Sequence, residues 1–90
     1  MNEQISDFLK ALDDMILALK KTGHSSAQYF ENVKAGILNT PSLNEQIEII
    51  GHQSSIAPMA QYGNFNFEQE EKLFRITGLA SILKKLSTPQ

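Results

Sequence analysis

The chain has 90 residues, a formal net charge of −2 and no cysteine or tryptophan. This length suits one small domain, and 41% hydrophobic with 20% charged residues is typical of a globular chain rather than a disordered one. The absence of cysteine excludes a disulfide framework, a thiolate zinc site and a cysteine nucleophile. We therefore predict a single domain over residues 1–90.

The first predicted element is an amphipathic helix from about Asn2 to Lys21. Its apolar residues recur at spacings of three, four and seven, so they share one arc of roughly 120° on a helix. Gly23 is placed to form the C-terminal cap, whereas Leu17 projects into the polar arc. The residues expected to face the core are Ile5, Phe8, Leu9, Leu12, Met15, Ile16 and Leu19.

A second helix is predicted after Ser25 or Ser26. Ser25 and Gln28 have the spacing of a capping box, in which two side chains bond each other's backbone amides. The helical pattern ends at about Leu38, before a turn signal at residues 39–41. The apolar face of this helix is predicted to consist of Tyr29, Phe30, Val33 and Ile37.

The middle of the chain begins with its clearest capping box, formed by Ser42 and Glu45. This box predicts a third short helix that Gly51 ends. Residues 52–66 are the least regular stretch and can form either helix or loop, with Ser55 as a candidate cap for a single turn. The inward face of the third helix is predicted to be Leu43, Ile47 and Ile50.

The last predicted helix runs from about Phe67 to Leu86. Asn66 is its expected N-cap, since Gln69 follows three residues later. The predicted apolar face is broad and contains Leu73, Ile76, Leu79, Ala80, Ile82, Leu83 and Leu86. No alternating pattern indicates a strand. We predict an all-α fold, a compact antiparallel bundle of four main helices with room for a short extra one.

The location of the protein is predicted from what its sequence lacks. No stretch reaches the roughly 18 apolar residues of a membrane span. The N-terminal residues are polar and lack the charged and apolar regions of a signal peptide. These observations predict a cytoplasmic protein that does not enter a membrane.

The sequence lacks the residue patterns of common active sites. Its two histidines, His24 and His52, are not accompanied by further ligands at metal-binding spacings. No glycine-rich loop links a strand to a helix, so a phosphate-binding loop is absent. The basic residues are scattered and balanced by acidic ones, which disfavours nucleic-acid binding. We predict a protein that is not an enzyme and uses no metal or other cofactor.

Charge is unevenly distributed along the chain. Between Lys34 and Lys72 there is no lysine or arginine, whereas all five carboxylates that follow Lys34 in the chain lie within this interval and are predicted to have no local neutralisation. One interpretation is an acidic surface that attracts a basic partner protein. The other is an ordinary solvated surface. The carboxylates concerned are Glu45, Glu48, Glu68, Glu70 and Glu71.

Aromatic residues suggest a second kind of binding surface. Phe67 and Phe74 lie one heptad apart, on the side of the last helix away from its core face. Either this helix contacts neighbours on two sides, or the two rings form a partner or dimer surface. Tyr62 and Phe65 lie with Phe67 in one short segment, which can be a recognition loop or can fold back onto the core.

The segment Tyr62-Gly63-Asn64-Phe65-Asn66, followed by a leucine-rich stretch from Leu73 to Leu86, resembles small bacterial helical domains of the immunity-protein type. The resemblance implies a protein that neutralises a toxin by binding it. Our first hypothesis is therefore a non-enzymatic inhibitor of a basic, nuclease-type toxin, acting through the five carboxylates and the four aromatic residues named above. The alternative is a structural or adaptor domain that self-associates through the last helix.

Overall fold

The computed structural model describes residues 3–87, and over this range the fold is all-α, as the sequence predicts. Asn2, the predicted start of the first helix, lies outside the described residues. The radius of gyration of the Cα atoms is 12.7 Å, close to the value of about 12 Å for a compact domain of this length. Among residues 3–87, no helix is both long and apolar enough to cross a bilayer. The helices are α1 (Glu3–Lys21), α2 (Ala27–Leu38), α3 (Leu43–Gly51), a 3₁₀ helix (His52–Ser55), α4 (Met59–Tyr62) and α5 (Phe67–Ser87).

The two longest helices, α1 and α5, form the centre of the bundle. They run antiparallel, because Gln69 near the start of α5 donates hydrogen bonds to Ala18 and Thr22 near the end of α1. Helix α2 packs on α1, while α3 and the 3₁₀ helix pack on α5. Each large apolar side chain buried here contributes about 1.5–3 kcal/mol to folding. The core of this pair is Ile5, Phe8, Leu12, Met15, Leu19, Leu73, Ile76, Ala80 and Leu83.

Two of the three predicted capping boxes are confirmed at least in part. The Ser42 hydroxyl accepts a hydrogen bond from the Glu45 amide at 3.4 Å. The box at α5 is reciprocal. The backbone amide of Gln69 donates to Asn66 Oδ1 at 2.8 Å, and the backbone amide of Asn66 donates to Gln69 Oε1 at 2.9 Å. The box predicted at Ser25 is wrong, because the residue before α2 is Ser26, and it has no side-chain cap.

Residues 52–66, which the sequence allows to be either helix or loop, contain both. Gly51 does not stop the helical path, since its backbone is helical and a 3₁₀ turn continues from it. Ser55 caps no helix, because its hydroxyl bonds back to the His52 carbonyl at 3.3 Å. The single turn of α4 begins instead after Pro58, whose ring restricts the backbone to a helical φ. Residues 63–66 then form a loop that leads into α5.

Four residues predicted to face inward are exposed, namely Tyr29, Leu43, Ile82 and Leu86. The neighbouring helices cover only the side of α5 that carries the core residues. Ile82 lies six residues after Ile76, which places it about 120° around the helix axis, beyond that cover. Leu17 is exposed on α1, in agreement with its predicted place in the polar arc.

The ring of His24 joins the loop after α1 to the loop before α5. Its Nδ1 atom accepts a hydrogen bond from the Ser26 amide at 3.0 Å. Since Nδ1 is an acceptor, the ring proton lies on Nε2, which donates to the Gly63 carbonyl. The edge of the His24 ring also packs against Phe65, with ring centroids 5.0 Å apart. His24 is thus a structural residue that fixes the end of the bundle where α5 begins.

Candidate functional site

The five carboxylates predicted to form one acidic surface lie in two groups. Glu48 lines an open pocket together with Lys84, near the end of α5. Glu71 lies thirteen residues before Lys84 on the same helix, which is about 20 Å along its axis. The α3 carboxylates, Glu45 and Glu48, are therefore separated from the group at the start of α5.

Lysines from other parts of the chain lie beside some of these carboxylates. Lys21 on α1 forms an ion pair with Glu68 at 3.6 Å, and Lys84 lines the same pocket as Glu48. The prediction that these carboxylates have no local neutralisation is therefore wrong for Glu68. Its physical reason is that folding brings together charges that are distant in sequence. The pair between Lys21 and Glu68 is exposed, so it contributes at most about 1 kcal/mol to stability.

The aromatic residues divide into one core residue and three surface residues. Phe65 is only 8% exposed, so its predicted place in a binding surface is not supported. The cause is a tight turn at Asn64, whose φ of 55° sends the chain back, and the Phe65 amide then bonds to the Ala60 carbonyl. In contrast, Tyr62, Phe67 and Phe74 are 86%, 74% and 55% exposed.

The exposed side of α5 carries a continuous set of residues that we call the outer face. At about 100° per residue, its members lie within an arc of roughly 80°, opposite the buried Ile76. The face has an acidic, aromatic N-terminal half and a basic, aliphatic C-terminal half. Glu70 lies at one edge of the N-terminal half, and the exposed Arg75 lies at the other. The outer face consists of Phe67, Glu71, Phe74, Gly78, Ile82 and Lys85.

Comparison with protein-family models, curated proteins and solved structures gave no match. The chemistry of the chain itself therefore has to indicate what it does. Large apolar groups exposed on one side of a helix and flanked by charges are typical of protein-binding surfaces. The outer face of α5 has this composition, and we take it as the candidate site.

The open pocket that Glu48 and Lys84 line lies between α3, the 3₁₀ helix and the end of α5. It is an open pocket of about 570 Å³, lined by Glu48, His52, Ser55 and Lys84 among others. The Ser55 hydroxyl bonds to the His52 backbone carbonyl, so this bond does not join it to the imidazole as a nucleophile and its base require. Among residues 3–87, no group of three or more His, Cys, Asp or Glu side chains is arranged to hold a metal ion. This pocket shows no catalytic arrangement.

The C-terminal half of the outer face was not predicted from the sequence, although a signal for it was present. The seven residues expected to face inward on α5 span about 180° of the helix, which is wider than one packed face requires. Ile82 and Leu86 lie at the uncovered end of this arc. An apolar arc of that width indicates either two packing neighbours or an exposed side.

Proposed function

We propose that this protein is a binding module that acts by covering part of another protein. The observation that carries the proposal is the exposure of Phe67 and Phe74 on one side of α5, away from the protein's own core. Exposed aromatic rings lose contact with water when a partner covers them, and they provide much of the binding energy at protein interfaces. Carboxylates around the rings provide the polar rim of such an interface.

We propose further that the partner is basic. Glu68, Glu70 and Glu71 lie within the first two turns of α5, between the two exposed rings in sequence. Negative charge beside an apolar anchor speeds association with a positively charged surface. A nuclease-type toxin fits this requirement, because a cleft that binds phosphates must be basic. The resemblance to immunity-type domains supports an inhibitor acting in the bacterial cytoplasm. Glu45 and Glu48 are separate from this group and serve as its control.

Affinity capture from the native source tests this proposal with matched variants of the immobilised chain. We expect the unchanged protein to retain a basic protein that is lost with Phe67→Ser/Phe74→Ser and with Glu70→Gln/Glu71→Gln. The controls are Leu17→Ser, which removes an exposed apolar residue of α1, and Glu45→Gln/Glu48→Gln on α3. Both controls should retain the same protein. Equal retention by all variants, or loss only with the α3 variant, would rule out the α5 surface as the site.

A further inference from the structure

The outer face of α5 has an internal symmetry about Gly78. Phe74 and Ile82 each lie four residues from this glycine, and Glu71 and Lys85 each lie seven residues from it. These paired positions therefore match in their apolar residues and are opposite in charge. All five residues are exposed.

We propose that the outer face of α5 pairs with the same face of a second copy of this chain, with the two helices antiparallel and crossing at Gly78. A two-fold axis at the crossing places Glu71 of one copy opposite the region of Lys85 of the other, and the reverse. A parallel pair would place like charges together. This inference goes beyond the binding of a basic partner and does not depend on it.

Self-complementarity favours a second copy over other occupants of this face. An isologous interface uses the same patch on both subunits, so the patch must match itself after a two-fold rotation. The acidic half and the basic half meet this condition. A basic partner fits only the first half, since Lys85 would repel it. An acidic partner would be repelled by Glu71.

Gly78 allows the two helix backbones to approach closely. A Cβ atom built at this position meets no heavy atom within 4 Å, so the space beside the helix is open in the single chain. Phe74 and Ile82 lie one turn before and one turn after the crossing, where apolar side chains of paired helices make contact. Because α5 is only about 30 Å long, the area buried is small and the dimer is reversible.

Self-pairing and the binding of a basic partner exclude each other, because both cover Phe74. The two can nevertheless be tested separately. Phe67 lies eleven residues before Gly78 and outside the symmetric pairs, so Phe67→Ser weakens partner capture with little effect on self-pairing. The charge substitution Lys85→Glu weakens self-pairing and does not weaken the capture of a basic partner.

Sedimentation equilibrium over a range of concentrations up to millimolar tests the dimer. We expect the unchanged chain to reach twice its single-chain mass. Glu71→Lys and Lys85→Glu should each weaken the dimer about tenfold or more, since the two-fold axis makes every substitution count twice. The double variant Glu71→Lys/Lys85→Glu should restore the affinity to within about threefold, because it only exchanges the charges.

A glycine pair provides the matched control. Gly36 on α2 also has no heavy atom within 4 Å of a built Cβ, so a side chain can begin at either glycine without a clash of its Cβ in the single chain. Gly78→Gln should abolish self-association, and Gly36→Gln should leave it unchanged. A chain that stays monomeric at millimolar concentration, or a double charge variant as weak as the single ones, would overturn this mode of pairing.

Discussion

Gln69→Leu is expected to lower the free energy of unfolding by about 2–4 kcal/mol, because it removes a buried side chain that forms hydrogen bonds to three other groups. The Gln69 side chain is 1% exposed. Its Oε1 atom accepts a hydrogen bond from the backbone amide of Asn66 at 2.9 Å. Its Nε2 atom donates to the Ala18 carbonyl at 3.2 Å and to the Thr22 hydroxyl at 2.9 Å. Leucine has a similar size but leaves these groups without their partner. Urea unfolding followed by circular dichroism measures the change.

Two further variants separate hydrogen bonding from side-chain size. Gln69→Glu should cost more than Gln69→Leu, because a carboxylate at this buried position accepts hydrogen bonds but cannot donate them. Gln28→Leu is the matched control, since Gln28 donates a hydrogen bond to Asn32 on an exposed helix surface. It should change stability by less than about 0.5 kcal/mol. If Gln69→Leu were as mild as this control, Gln69 would not hold α1 and α5 together.

Gly63→Ala is the second large expected effect, a loss of about 1–3 kcal/mol that arises from crowding. The φ of Gly63 is −88°, so its backbone is open to any residue. A Cβ atom there, however, would lie 2.8 Å from Phe65 Cε1 and 2.9 Å from the Met59 carbonyl oxygen. The backbone oxygen cannot move without disturbing α4, and the Phe65 ring is held against His24. The same unfolding measurement detects the loss.

Gly36→Ala gives a control of opposite sign. Position 36 lies within α2 and has open space for a methyl group. Alanine there should raise stability by about 0.4–1 kcal/mol, because it restricts the unfolded chain and favours the helix. A stabilising Gly63→Ala would show that the loop before α5 is looser than the contacts of His24 and Phe65 require.

Local signals in the sequence predicted most of the fold. The apolar spacing of α1 and the capping boxes at Ser42 and Asn66 act between residues a few positions apart, so the chain order reveals them. The sequence also predicted the contact between Gln69 and Asn66. It did not predict the bonds from Gln69 to α1, because these depend on how two distant helices pack.

The candidate site was predicted only in part for the same reason. The positions of Phe67 and Phe74 away from the core follow from helix periodicity, and both rings are exposed. The acidic surface was defined by chain order, yet Lys21 forms an ion pair with one of its members, Glu68, from elsewhere in the fold. The burial of Phe65 depends on the turn at Asn64 and on His24, which is 41 residues away in sequence.

Thiol labelling directly tests whether another macromolecule covers the outer face of α5. The chain has no cysteine, so Gly78→Cys carries a single thiol at the centre of this face, and Gly36→Cys carries one on α2. Under reducing conditions, alkylation at position 78 should slow about tenfold when nine-tenths of the chain is bound to the captured partner. The rate at position 36 should stay constant. If position 78 is alkylated at the same rate in the complex as in the free chain, the outer face is not the binding surface.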